Sequence, residues 1–116
     1  MDDMKKKPLI LITNDDGYQA PGIRTLIDIA KPLGRVVVVA PEKAHSGMGH
    51  AVTLENPVRL RNIEETTDYT EYACSGTPVD CVKIAINNLL AEKPDLIISG
   101  INHGANSSVN LSLIHI

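Results

Sequence analysis

The chain of 116 residues contains no tryptophan and no phenylalanine, and three tyrosines are its entire aromatic content. Any core must therefore be packed from Ile, Leu, Val and Ala. Cysteine is nearly as scarce. Cys74 and Cys81 match neither a CxxC motif nor a disulfide framework, and they read as small buried thiols. Long apolar runs are missing too. No stretch approaches the roughly 20 residues of a membrane span. Behind the charged leader at 1–7, Leu9-Ile10-Leu11-Ile12 is too short for a signal-peptide core, so the cytoplasm is the expected compartment. Basic excess is also lacking. A net charge of −3 gives no electrostatic reason to expect a nucleic-acid duplex or an anionic membrane as partner. The length allows one domain at most.

What the chain does contain is buried-strand signal followed by polar turns. Leu9 to Ile12 is apolar without alternation, the pattern of a strand covered on both faces, and it runs into Thr13-Asn14-Asp15-Asp16-Gly17. Pro21-Gly22 opens a helix whose apolar stripe is Ile23, Leu26, Ile27 and Ala30; Lys31-Pro32 and Gly34 end it. Val36 to Val39 predicts a second buried strand closed by Ala40-Pro41, completing a βαβ unit. Glu42 to His50 is a polar loop with glycines. Its Gly47-Met48-Gly49 follows the second strand and lacks a third glycine, so it is not a dinucleotide fingerprint.

Val52-Thr53-Leu54, Val58 to Arg61 and Tyr69 to Tyr72 alternate and carry charge, predicting a small, half-exposed antiparallel insertion or sheet edge. Thr77, Pro78 and Asp80 supply an N-cap, a first-position proline and a capping-box acid. The stripe Val79, Val82, Ile86, Leu89 and Leu90 follows, and Lys93-Pro94 stops that helix. Leu96-Ile97-Ile98 predicts a third buried strand leading into a loop at 99–106. The expected fold is α/β, a Rossmann-like three-layer sandwich with a mostly parallel sheet.

Open α/β sheets bind ligands beyond the carboxyl ends of their strands. Adjacent Asp15 and Asp16 at such an end repel one another, and a divalent cation would relieve that cost; an Asn-Asp-Asp-Gly turn is the plainer reading. With Ser46 and Asn102 as neutral oxygens on neighbouring loops, the set suits Mg²⁺ or Mn²⁺. Free amides at Ser75, Gly76 and Thr77 would suit a phosphate, and Asn14, Gly104 and Asn106 are further candidate substrate contacts. Each has a structural alternative: loop hydroxyl for Ser46, helix cap for Thr77, turn residues for Asn102 and Asn106. His45, His50 and His103 lack zinc-ligand spacing. His103 is nearest the expected site as an acid toward a leaving group, but stays outside the catalytic set.

Thr-Asn-Asp-Asp-Gly-Tyr-Gln-Ala-Pro-Gly-Ile at 13–23 resembles the signature of the SurE survival-protein family. Ala-Pro at 40–41 with His-Ser-Gly at 45–47, Ser-Gly-Thr-Pro-Val-Asp-Cys-Val at 75–82, and Ser-Gly-Ile-Asn-His-Gly-Ala-Asn at 99–106 match the family in the same order. The resemblance runs from about residue 8 to Asn110. It implies a metal-dependent 5′/3′-nucleotidase acting on nucleoside monophosphates, with exopolyphosphatase activity in some members and a homodimer or homotetramer as the assembly. Carried over by position, its metal ligands are Asp15, Asp16, Ser46 and Asn102.

Beyond Asn110 the family pattern continues with an apolar-apolar-Tyr-Ser-Gly-Thr segment, whereas 111–116 reads Leu-Ser-Leu-Ile-His-Ile. Family members are roughly twice this length. A truncated chain with a non-matching tail is therefore expected, with its match at 8–110.

The reading is phosphomonoester hydrolysis, with Asp15 and Asp16 catalytic through the cation they hold and an Asp nucleophile as the alternative step. A catalytically incompetent nucleotide- or metal-binding fragment is the competing expectation. Two other phosphate-handling classes fit less well. A signalling receiver needs an acceptor Asp after a later strand, where this chain has Ala-Pro-Glu and Ser-Gly-Ile-Asn. A haloacid-dehalogenase-type phosphatase needs Asp-x-Asp.

Overall fold

The computed structural model describes residues 7–44, 57–103 and 109–114, with side chains described as far as Asn102. The unbroken apolar run becomes β1 (Leu9–Thr13), buried along its whole length. Helix α1 (Pro21–Ala30) follows, with proline in its first turn and the expected stripe, Ile23, Leu26, Ile27 and Ala30, all buried. A single 3₁₀ turn at Lys31–Leu33 leads into β2 (Arg35–Pro41). Then come β3 (Leu60–Glu65), β4 (Tyr69–Cys74), α2 (Pro78–Ile84), β5 (Leu96–His103) and β6 (Val109–Ile114).

Among the described residues these strands form one sheet in the order β3-β4-β2-β1-β5-β6. β1, β2, β4 and β5 are mutually parallel, and β3 and β6 are antiparallel to their neighbours at the two ends. Alternation along each parallel strand divides the core in two. Ile10, Ile12, Val36, Val38 and Ala40 pack with the α1 stripe on one face. Leu11, Val39, Cys74 and Ile97 pack with Cys81 and Ala85 of the second helix on the other. This is the three-layer α/β sandwich that the sequence pattern predicts. No helix among the described residues is long and apolar enough to cross a membrane.

Three expectations change. First, Tyr69–Cys74 pairs antiparallel with β3 as expected, but its other side joins the main sheet. There it runs parallel to β2, in register from Val36↔Tyr69 to Pro41↔Cys74. Its charge misleads, because Glu71 is only 1% exposed: its Oε2 accepts from Arg24 Nη2 at 2.6 Å and its Oε1 from the Tyr69 hydroxyl at 2.5 Å. With the carboxylate neutralised by α1, the strand is buried despite an acid at its centre.

Second, the second helix turns a different face to the sheet. Cys81 and Ala85 are buried, Val82, Ile84, Ile86 and Leu89 pack at the margin, and Val79 is 62% exposed. The small residues allow close approach, and a π-helical turn at Ala85–Leu89 shifts the phase of the helix's last residues and ends it before Lys93.

Third, β5 runs past the expected loop start through Asn102 to His103, because β6 pairs with it, Asn102↔Asn110 and His103↔Val109. Residues 111–114, expected from sequence to lie outside the family match, are part of that partner strand. Val52-Thr53-Leu54 lies outside the described residues.

Candidate active site

The strand order defines where the site lies. From β1 the chain steps to β2 and then β4 on one side, and β5 returns to the other side of β1. The topological switch point is therefore the crevice between the carboxyl ends of β1 and β5. Asp15 and Asp16, both half-buried, follow β1 there, and Asn102 approaches from β5. Asn102 is 8% exposed, and its side-chain oxygen accepts the Asp15 backbone N–H at 2.8 Å, joining residues 87 apart in sequence across the crevice. The β5–β6 register shifts between Ser99 and Asn102, an irregularity of the kind that re-aims side chains beside functional sites.

Asn14 holds the acidic turn from within. Fully buried, it donates from Nδ2 to the Gly17 carbonyl at 2.8 Å and accepts the Gly17 N–H on Oδ1 at 3.2 Å. With both ends of its amide engaged, the buried Asn14 side chain shapes the Asp15-Asp16 backbone. Gly17 closes the turn at φ 103°, where a side chain would be strained. The turn then docks on β2, with Tyr18 N–H donating to the Pro41 carbonyl at 2.9 Å. Gly22, in the first turn of α1, lies so close to β5 that a Cβ there would collide with the Ile101 carbonyl oxygen. This contact holds the start of α1 beside Asn102.

The proposed phosphate cradle differs from expectation. Its three amides are not free. Ser75 N–H donates to the Arg59 carbonyl at 2.9 Å, Gly76 N–H to Cys74 Sγ at 3.3 Å, and Thr77 N–H to Asp80 Oδ2 at 2.9 Å. Thr77 Oγ1 accepts the Asp80 N–H at 3.2 Å, completing the predicted capping box. Ser75 Oγ accepts the Arg59 N–H at 2.7 Å. Both hydroxyls act as acceptors in these bonds, so each retains its own O–H as a donor. Sequence alone could find the cap, but not that the Arg59 carbonyl just before β3 and a cysteine sulfur take the other two amides. A hydrogen bond from Cys81, and then the Gly76 amide, bring the Cys74 thiol down to about 7; the same thiol pairing, with burial, pushes Cys81 up.

Ser46, Gly104 and Asn106 lie outside the described residues, as do His45 and His50, and His103 is described for its backbone alone. Among the described residues no three His, Cys, Asp or Glu side chains gather as a metal cluster. The donors at the crevice are two carboxylates with a buried amide oxygen alongside. That all-oxygen chemistry fits a hard divalent cation such as Mg²⁺ or Mn²⁺.

Comparison with known proteins agrees with this geometry. The family model described as survival protein SurE matches residues 10–114. A protein of Flavobacterium johnsoniae named 5′-nucleotidase SurE is 61% identical over 107 residues, covering 91% of this chain and 41% of that protein. One of the same name from Bacteroides thetaiotaomicron is 49% identical over 106 residues, again covering 91% of this chain and 41% of the relative. The crystal structure of the SurE protein from Aquifex aeolicus superposes with a TM-score of 0.71 at 48% identity, over 85% of this chain and 39% of that one. The chain thus spans about two fifths of the length of these relatives. With the family match extending over almost all of its length and its sheet superposing on a solved member, this chain belongs to the SurE survival-protein family.

Proposed function

We propose that the crevice between β1 and β5 is the metal and phosphate site of a phosphomonoesterase acting on nucleoside 5′-monophosphates, with 3′-monophosphates as further substrates. The observation that carries this reading is the Asp15–Asn102 connection at the switch point, which puts two carboxylates and a buried amide oxygen where such sheets bind ligands. The relatives named 5′-nucleotidase support the substrate class. Asp15, Asp16 and Asn102, with Ser46, would hold Mg²⁺ or Mn²⁺. When bound, that ion supplies Lewis acidity to the phosphate oxygens and to the attacking water.

The chain's own groups do the rest. Asn14 and Gly17 hold the acidic turn in one shape, so the carboxylates are arranged before substrate arrives. The Asn102 side-chain oxygen fixes the Asp15 backbone. The Ser75 and Thr77 hydroxyls, rather than the amides of 75–77, would donate to the phosphate, with the segment carrying Gly104 and Asn106 as a further contact.

The test is phosphate release from nucleoside 5′- and 3′-monophosphates in Mg²⁺ or Mn²⁺, comparing the parent chain with Asp16→Asn. Activity that requires the ion and falls at least a hundredfold in Asp16→Asn is the expected outcome, the loss being on the order of one charge-stabilising group. Unchanged activity in that variant would refute the ligand assignment. Because the chain covers 41% of its Flavobacterium relative, a binding fragment without turnover is the second reading. Ion-dependent nucleotide binding with no phosphate release would select it.

A further inference from the structure

We infer that Tyr18 and Arg61 form a flat stacking platform for the nucleobase, one that accepts any base. The inference rests on the nucleotide reading of the neighbouring site. Arg61 sits on edge strand β3, opposite Ala73 of β4. Its side chain crosses β4 toward the end of β2 and lies over the Tyr18 ring, 5.7 Å from guanidinium carbon to ring centroid. Nη2 donates to the Tyr18 hydroxyl at 3.2 Å, and Nε lies 3.9 Å from Glu42 Oε2. The guanidinium is therefore anchored by two residues, Tyr18 through its ring and hydroxyl and Glu42 through a longer ion pair.

Stability does not explain this arrangement. The Arg61 side chain is 57% exposed, and a solvent-facing ion pair at that distance contributes little. What the contacts do provide is orientation. Tyr18 itself is fixed, packed against the α1-side core and bonded through its N–H to Pro41. The guanidinium carbon lies over the ring, and more than half of the side chain remains exposed beyond it. Guanidinium faces are weakly hydrated and stack on aromatic planes.

Position agrees with this role. Tyr18 follows Asp16 by two residues, which limits their separation to about 7 Å along the backbone. A nucleotide whose phosphate lies at the acidic turn carries its base one ribose away, within reach of this platform. A stacked guanidinium and phenol recognise a π-face rather than a hydrogen-bonding edge, and stacking of this kind tolerates every base.

The experiment is calorimetric titration of the 116-residue chain, in Mg²⁺, with adenosine 5′-monophosphate and separately with ribose 5-phosphate. The base should improve affinity about tenfold, within the range of a single base stack, and the other three nucleotides should show a similar gain. Arg61→Ala and Arg61→Lys should both reduce that ratio to about one, since lysine keeps the charge but loses the plane. Tyr18→Phe keeps the ring and should keep most of the ratio. Ribose 5-phosphate affinity should stay within about twofold throughout, because no stacked base is involved.

A ratio that survives Arg61→Lys overturns the platform, and an equal loss for ribose 5-phosphate in Arg61→Ala overturns it by making Arg61 a phosphate contact. Phosphate release measured on the same samples separates the two readings. Base-dependent binding without release keeps the platform and refutes hydrolysis. Release from both ligands without base preference refutes the platform and keeps hydrolysis. Binding of neither ligand refutes both.

Discussion

Removing Arg24 tests the claim that a buried acid lies at the centre of the sheet. Glu71 is 1% exposed on its side chain, and its two described partners are Arg24 Nη2 and the Tyr69 hydroxyl. In Arg24→Ala the carboxylate stays buried with only the phenol to stabilise its charge. Breaking a fully buried pair in this way costs about 3–5 kcal/mol. The Arg24 side chain is 41% exposed, however, so water already screens its end of the pair and can enter the space it vacates. Reducing the cost accordingly gives about 2 kcal/mol, a substantial part of the roughly 5–15 kcal/mol that holds a domain folded.

For a domain of this size that loss corresponds to a fall in melting temperature of about 8 °C. The double variant Arg24→Ala/Glu71→Gln removes the uncompensated charge and should recover at least about 1 kcal/mol relative to the sum of the single losses. Urea unfolding followed by far-ultraviolet circular dichroism measures all four proteins. A loss below about 0.5 kcal/mol in Arg24→Ala, or single effects that simply add, would show that the pair does not hold β4 in the core.

Other outcomes rest on the same contacts. Burial, and then the hydrogen bond to Glu71, push the Tyr69 phenol above its ordinary ionisation near 10. Its contribution to stability is thus complete below about pH 10 and is lost as pH rises toward the folded-state value; Tyr69→Phe should flatten that alkaline slope in urea titrations. Asn14→Ala removes two buried hydrogen bonds and should cost about 2 kcal/mol, with weaker Mn²⁺ binding by calorimetry; full metal affinity would refute its role in shaping the turn. Thr77→Ala should lose about 1 kcal/mol as a helix cap, whereas Thr77→Asn should keep the cap. If the Thr77 hydroxyl reaches the phosphate, KM for nucleotide hydrolysis rises in both variants, and a KM that follows stability instead would confine Thr77 to capping.

The parts of the fold legible in sequence are those where one residue pattern has one physical meaning. β1 and β2 are apolar on both faces because they are covered on both, and α1 has one stripe because it has one buried side. The capping box at Thr77 is readable because its two bonds are local. β4 misleads because the partner of Glu71 lies 47 residues away on α1, and no local pattern shows that an acid is neutralised. The extension of β5 is hidden for a similar reason, since its pairing with β6 decides it. At the site, the positions of Asp15, Asp16 and Asn102 can be read from chain order. The engagement of the three amides at 75–77 cannot, because the Arg59 carbonyl and a cysteine sulfur accept two of them.

The Asp15–Asn102 bond also bears on how the chain reaches its native state. β1 and α1 can form early from neighbouring residues, but β5 enters beside β1 only after a loop of more than eighty residues has closed. Closure over such a distance carries an entropic cost before any contact rewards it, and contacts of this separation slow folding. The acidic turn therefore gains its amide-oxygen neighbour only when the central strand pair is complete. A cation that needs both halves would bind the finished sheet and not its precursors, so raising its concentration should slow unfolding while leaving the folding rate nearly unchanged.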